Sequence, residues 1–307
     1  MLISFILPAY KSKFLNLAIE SILNQDYSDF ELVIIDDNSP ENLFEIVSKF
    51  KDERIKYYRN QENIGGNDLV KQWNKCLEYA NGDYLVLASD DDIYDKTFLS
   101  TGMKLISKYP KVDIIRSRVK LINEEGETIG IDGILEENCS QIEFVYAWLN
   151  GGFTVCMANY IMKTEAIRSI QFIQQPFAFG TDIITVFLLA KNGLANYKEM
   201  LFCFRFSQIH LSSDNSKMPV KIEATTKLFN KIKAISYLPP CNDIEKFCLN
   251  QINWDTLYRK CIYDYYNGAV KFLPFRQIFK IEECELANRK DKNMMYVRFF
   301  IDKLFKK

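Results

Sequence analysis

The sequence predicts an α/β protein with a mixed, mostly parallel sheet flanked by helices and a helical C-terminal extension. Three observations predict it. Short apolar runs alternate with helical periodicity from the first residues to about residue 90. Three of those runs end in polar or acidic clusters, where open parallel sheets bind their ligands. Beyond about residue 220 the pattern is mostly helical, rich in aromatics and Lys.

Taken in order, residues 3–7 form an apolar β-type run stopped by Pro8. No basic region precedes it, so it reads as the first strand and not as a secretory leader. Leu15, Ala18, Ile19, Ile22 and Leu23 share one helical face. Residues 30–35 form a second buried strand that ends in Asp36-Asp37-Asn38-Ser39-Pro40, a turn and helix-start cluster. Leu43, Ile46, Val47 and Phe50 carry the next helix, and residues 54–59 an edge-like strand. After Asn63-Ile64-Gly65-Gly66 a helix turns Leu69, Trp73, Cys76, Leu77 and Ala80 inward, with Asn81-Gly82 expected as its C-cap. Residues 84–88 are a fourth strand running into Ser89-Asp90-Asp91-Asp92. A helix is expected near 98–108, strands at 112–117 and around 118–131, an extended run at 153–162 and a strong helix at 182–191. With no repeat or low-complexity linker, the expected organisation is one unit over 1–215, in halves of 1–100 and 101–215, followed by a helical region over 216–307.

Composition narrows the chemistry. The chain has 307 residues with 39 Lys+Arg against 40 Asp+Glu, which argues against a nucleic-acid binder relying on a global basic field. A single His excludes His-rich zinc sites. No apolar run approaches the roughly 20 residues that span a bilayer. Eight Cys without a CxxC pair read as free thiols of a reducing, cytoplasmic setting.

Asp90-Asp91-Asp92 carries the most information. Adjacent carboxylates at a strand end repel one another, and a hard divalent cation, Mg²⁺ or Mn²⁺, resolves that repulsion while leaving room for substrate phosphates.

Pro8-Ala9-Tyr10, Asp36-Asp37-Asn38-Ser39, Asn63-Ile64-Gly65, Asn81-Gly82-Asp83-Tyr84 and Ser89-Asp90-Asp91-Asp92 occur in an order and spacing that resembles the family 2 glycosyltransferases. The resemblance extends through Phe179-Gly180-Thr181-Asp182 and covers about the first 210 residues. It implies a Rossmann-like GT-A fold, a nucleotide-sugar donor, most often UDP-linked, and inversion at the anomeric carbon. It implies that Pro8, Ala9 and Tyr10 line the nucleoside pocket, that Asp37, with Asp36, faces the uracil edge, and that Asp90 approaches the ribose. Asp91 is then the principal metal ligand, with Asp92 acting through the metal or its water. Asp182 matches the general base, and its place at a helix N-terminus is expected to favour the ionised form. Asn63 and Gly65 would shape the loop beside the nucleotide. Lys71 is a diphosphate contact or an exposed helix residue, and His210 a contact to metal or diphosphate. Gly151, Gly152 and Phe153 would border the acceptor. Trp73 and Asn74 are expected to pack the helix and not to touch ligand.

Rival readings have less support. A sugar-phosphate nucleotidyltransferase wants a Gly-rich basic loop after the first strand, and a dinucleotide enzyme wants GxGxxG; this chain has neither. A non-catalytic nucleotide-sugar-binding or scaffold protein on the same fold is opposed by retention of Asp91 and Asp182. The last stretch, 289–307, mixes apolar residues with seven Lys/Arg and two Asp. It reads either as a packing helix or as a basic amphipathic segment in peripheral contact with the inner face of the membrane, where a lipid-linked saccharide acceptor would be found.

Overall fold

The structure, a computed structural model, describes residues 1–207 and 215–305. Strands β1 (Ile3–Ala9), β2 (Phe30–Asp36), β3 (Ile55–Arg59) and β4 (Tyr84–Leu87) run parallel, with helices α1 (Leu15–Leu23), α2 (Leu43–Val47) and α3 (Leu69–Cys76) between them. β1 and β2 are buried almost throughout, as continuous apolar runs covered on both sheet faces must be. β3 is only partly buried and forms the sheet edge, as its charged sequence predicts.

The middle of the chain adds β5 (Ile93–Tyr94), α4 (Phe98–Lys108), β6 (Ile114–Arg116), β7 (Val119–Ile122), β8 (Thr128–Ile131), β9 (Asn138–Cys139) and α5 (Gln141–Leu149). It continues through β10 (Tyr160–Lys163), α6 (Thr164–Ile170), α7 (Thr181–Leu189), β11 (Leu194–Asn196) and β12 (Phe202–Arg205). The main sheet has the order β3-β2-β1-β4-β10-β6-β11-β9, and β5-β12-β7-β8 form a second, smaller sheet. β10 is antiparallel to both neighbours, which makes the sheet mixed. The expected extended run at 153–162 is a strand only from Tyr160. The C-terminal region holds α8 (Met218–Lys233), α9 (Asp243–Gln251), α10 (Trp254–Lys260), α11 (Asn267–Phe272) and α12 (Arg289–Phe305).

Alternate residues of each strand feed two cores. Phe5 and Leu7 pack with α1 and α4 through Ile19, Phe98 and Leu99. Ile6, Val33 and Leu85 belong to the opposite core, with Phe144, Trp148 and Phe187. That second core continues without a break into Ile222, Leu228, Phe229, Leu257, Tyr266 and Phe299. The helices after residue 215 therefore share a core with the sheet.

One local expectation is corrected. The turn after α3 ends at Ala80 in extended conformation, and Gly82 does not take the left-handed backbone of a C-cap. Gly82 is required by crowding: a Cβ there would lie 2.7 Å from the Leu2 carbonyl oxygen. Asn81 instead donates from its backbone to buried Glu31 at 2.8 Å.

Candidate active site

The carboxyl ends of β1, β2 and β4 open into one cavity of about 700 Å³. Pro8, Ala9, Tyr10, Asp37, Asn63, Gly65, Asp90, Asp91, Asp92 and Asp182 all line it. Parallel strand direction accounts for the convergence, since each strand delivers its following loop to the same rim.

The three carboxylates after β4 are held differently. Asp90 accepts from the backbone amides of Tyr10 at 2.9 Å and Lys11 at 2.8 Å, which ties the loop after β1 to the acidic cluster. Burial raises its pKa despite those two amides. Asp91 is buried and accepts from the Ser89 hydroxyl. Asp92 accepts from the Arg205 amide at 2.9 Å, and burial together with the charge of Asp91 pushes its carboxyl well above the usual range. Arg205, itself buried, donates from Nε to the Asp91 carbonyl at 2.9 Å and stacks on Phe14 at 4.3 Å.

Asp37 is nearly buried and organises the third loop of the rim. It accepts from Asn60 Nδ2 at 2.7 Å, the Ile64 amide at 3.0 Å and the Gly65 amide at 2.6 Å. Three of a carboxylate's roughly four acceptor positions are therefore used within the protein. Asn63 accepts from the Gly66 amide at 2.6 Å and closes the same turn.

Asp182 stands in the first turn of α7. Its carboxylate accepts from the Ile183 amide at 2.9 Å, yet burial pushes its pKa up to about 6. The helix N-terminus acts in the expected direction, but desolvation outweighs it. The segment before it is unusual. Phe177 and Ala178 have φ of 51° and 59°, and Gly180 has φ of 83°. Such conformations cost about 1–3 kcal/mol each in residues with a Cβ and persist only where packing over-determines them. Lys217 lies over the Phe177 ring at 4.4 Å and Lys221 over Phe179 at 4.7 Å, so α8 and the turn before it hold this strap in place.

A family description, Glycosyl transferase family 2, matches residues 4–170. The chain belongs to glycosyl transferase family 2. It is 32% identical over 220 residues, 70% of this chain and 81% of the relative, to the Escherichia coli UDP-Glc:alpha-D-GlcNAc-diphosphoundecaprenol beta-1,3-glucosyltransferase WfgD. In other curated relatives the match spans only about a third of their length, 36% and 33% in two cases. Among solved structures, Staphylococcus aureus TarS in complex with UDP-GlcNAc is similar at a TM-score of 0.66 and 15% identity, covering 100% of this chain and 92% of that one. The mannosyltransferase PcManGT of Pyrobaculum calidifontis, solved with GDP-Man and Mn²⁺, is similar at 0.57 and 13% identity, covering 99% and 88%. The likeness to TarS bears out the GT-A expectation for the fold.

Within this family 2 chain, several expected residues lie elsewhere. Asp36 is separated from Asp37: it points away from the cavity and accepts from Tyr57 Oη and Arg59 Nη1, both at 2.6 Å. Adjacent strand residues face opposite sides of a sheet, which is the physical reason. Lys71 is exposed and does not line the cavity. Gly151 and Gly152 are also outside it, and Phe153 is buried against Phe144, ring centroids 4.7 Å apart. His210 lies outside the described residues.

Other lining residues escaped the sequence reading. Trp73, expected only to pack, lines the cavity while it packs on Phe172, and Gln72 and Leu69 join it. Cys156, Met157, Ala158 and residues 177–180 also line the wall. Asn74 does pack, exchanging hydrogen bonds with the Phe172 backbone at 2.7 and 3.1 Å. Among the described residues no group of three or more His, Cys, Asp and Glu is arranged to hold a metal ion, and no helix is long and apolar enough to cross a membrane. The eight cysteines are free thiols.

Proposed function

We propose that the chain is a metal-dependent, inverting glycosyltransferase working in surface polysaccharide synthesis on the cytoplasmic side of the membrane. It moves a sugar from a UDP-linked donor to a hydroxyl of a saccharide or lipid-linked saccharide. The observation that carries the reading is that Asp90–Asp92, at the end of β4, and Asp182, at the start of α7, line one cavity.

Asp182 takes the proton of the acceptor hydroxyl as that oxygen attacks the anomeric carbon. The bond from that carbon to the donor phosphate oxygen breaks in the same displacement, which inverts the centre. A carboxyl raised to about 6 remains mostly ionised at neutral pH and accepts a proton more readily than an ordinary aspartate. Pro8, Ala9 and Tyr10 receive the nucleoside, Asp37 with the 60–65 turn faces the base, and Asp90 holds the loop that shapes the ribose pocket.

The donor chemistry available to a cation is two buried carboxylates, Asp91 and Asp92, both lining the cavity. That suits a hard Mn²⁺ or Mg²⁺ completed by substrate phosphates and water, not an all-protein cage. When bound, the ion supplies charge neutralisation for the leaving diphosphate. WfgD, which takes a UDP-linked glucose and a diphosphoundecaprenol-linked acceptor, and the Mn²⁺ in the PcManGT structure support this assignment.

Titration calorimetry with UDP-, GDP- and dTDP-sugars tests it. A UDP-sugar is expected to bind, and more tightly with Mn²⁺ than with chelator. Indifference to chelator would remove the metal from the reading, and silence with every nucleotide sugar would overturn the transferase reading itself.

A further inference from the structure

The C-terminal helix α12 is anchored by one face and bare on another. Met295 and Phe299 are each 1% exposed and fix it to the body. Met294, Val297, Ile301 and Leu304 follow at helical spacing on an uncovered stripe, between 46% and 65% exposed. The neighbouring turn extends this apolar surface: Phe275 packs on Phe300 at 6.0 Å while remaining exposed, and Phe279 is exposed as well.

Beside the stripe lies a groove of about 620 Å³ between α12 and the π-helical segment Cys261–Tyr266 with the end of α10. Arg259, Lys290 and Arg298 line it. Among the described residues none of the three forms a salt bridge, and Arg298 lies over Tyr263 at 5.5 Å. Two carboxylates also line the groove: Asp291, engaged by the Tyr258 hydroxyl, and exposed Asp255. Lys290, Met294, Arg298 and Ile301 fall within one helical stripe, so cations and apolar side chains face the same way. Residues 267–307 carry ten Lys/Arg against five Asp/Glu, whereas residues 1–266 carry 29 against 35. The positive charge of the molecule is thus concentrated on the region that exposes the apolar surface.

We infer that this face docks on an anionic phospholipid bilayer, its three groove cations receiving lipid phosphates and its apolar stripe entering the boundary between headgroups and acyl chains. Charge complementarity selects the occupant. A protein groove would not require a basic rim, whereas an interfacial helix on anionic lipid requires both elements. The inference rests on the lipid-linked acceptor proposed above. It extends that proposal from one helix to a composite surface with named headgroup contacts.

Co-sedimentation of the full chain with phosphatidylglycerol-containing vesicles, against vesicles of phosphatidylcholine alone, tests the inference. Binding is expected only to the anionic vesicles. R259Q/K290Q/R298Q should weaken it about 100-fold, at roughly fivefold per cation, and F279S/I301S/L304S should abolish the binding that survives high salt. Equal binding to both vesicles, no binding, or indifference to both variants overturns the inference. So does a dimer that the apolar variant dissociates while the parent ignores vesicles, because the face would then belong to a second copy. Thermal melts confirm that the variants fold. Donor binding by calorimetry separates the two proposals: donor binding without vesicle binding removes only the docking, and the converse removes only the transferase reading.

Discussion

At Asp182 two effects of opposite sign meet, and their relative size sets the behaviour of the residue. The first-turn amides of α7 favour the carboxylate, while burial opposes it and prevails, taking the pKa from 3.8 to about 6. The folded state therefore holds this proton more tightly than the unfolded chain does. The resulting stabilisation is complete below about pH 4 and is lost as pH rises through 6. At pH 7 the ionised, part-buried carboxylate costs up to about 3 kcal/mol, less whatever solvent screening at its exposed edge removes. Asp182→Asn should accordingly unfold at a higher temperature than the parent at pH 7, with the difference vanishing near pH 4, while transfer is lost and donor binding persists. A fully active variant would refute the base assignment. In the parent, the transfer rate should rise with pH along a limb centred near 6. The place of this residue on the cavity wall was legible from Phe179-Gly180-Thr181-Asp182. Its ionisation was not, because desolvation comes from residues far away in the sequence.

The elements divide in a similar way. Strands β1, β2 and β4 and their acidic ends were readable because a buried parallel strand is a continuous apolar run and its break is abrupt. Phe177–Gly180 was not readable as a strap, since nothing in Phe-Ala-Phe-Gly announces two non-glycine residues with positive φ. That conformation is imposed from α8. A Cβ at Gly180 would meet Leu228 at 2.8 Å, and the backbone there has φ of 83°. Gly180→Ala should destabilise the fold by about 1–3 kcal/mol in thermal unfolding. It should also lower the transfer rate more than donor affinity, because the strap leads directly into Asp182. An unchanged rate would show that the strap does not position the base. Asp36 illustrates the converse error. Two adjacent acids look equivalent in sequence, but the alternation of a strand sends one to Arg59 and the other to the cavity.

On the scale of the whole molecule, the helices after residue 215 complete the core beneath the strap. Phe229 packs with Tyr265 at 5.2 Å, and Tyr265 with Trp148 of α5 at 6.1 Å. A chain ended at residue 215 would leave Trp148 without Phe229 and Tyr265, and it is expected to be insoluble or to lose its cooperative thermal transition. A soluble, cooperatively melting fragment would contradict that dependence. The sequence by itself determined the α/β class, the parallel order of the first half, and the acidic rim with its candidate base, because these features follow from local periodicity and from where apolar runs stop. Only the tertiary structure decided which acid of each pair reaches the cavity, how Asp182 is ionised, and that the C-terminal helices support the strap. Those outcomes depend on burial and on contacts between residues distant in the chain, which no local pattern encodes.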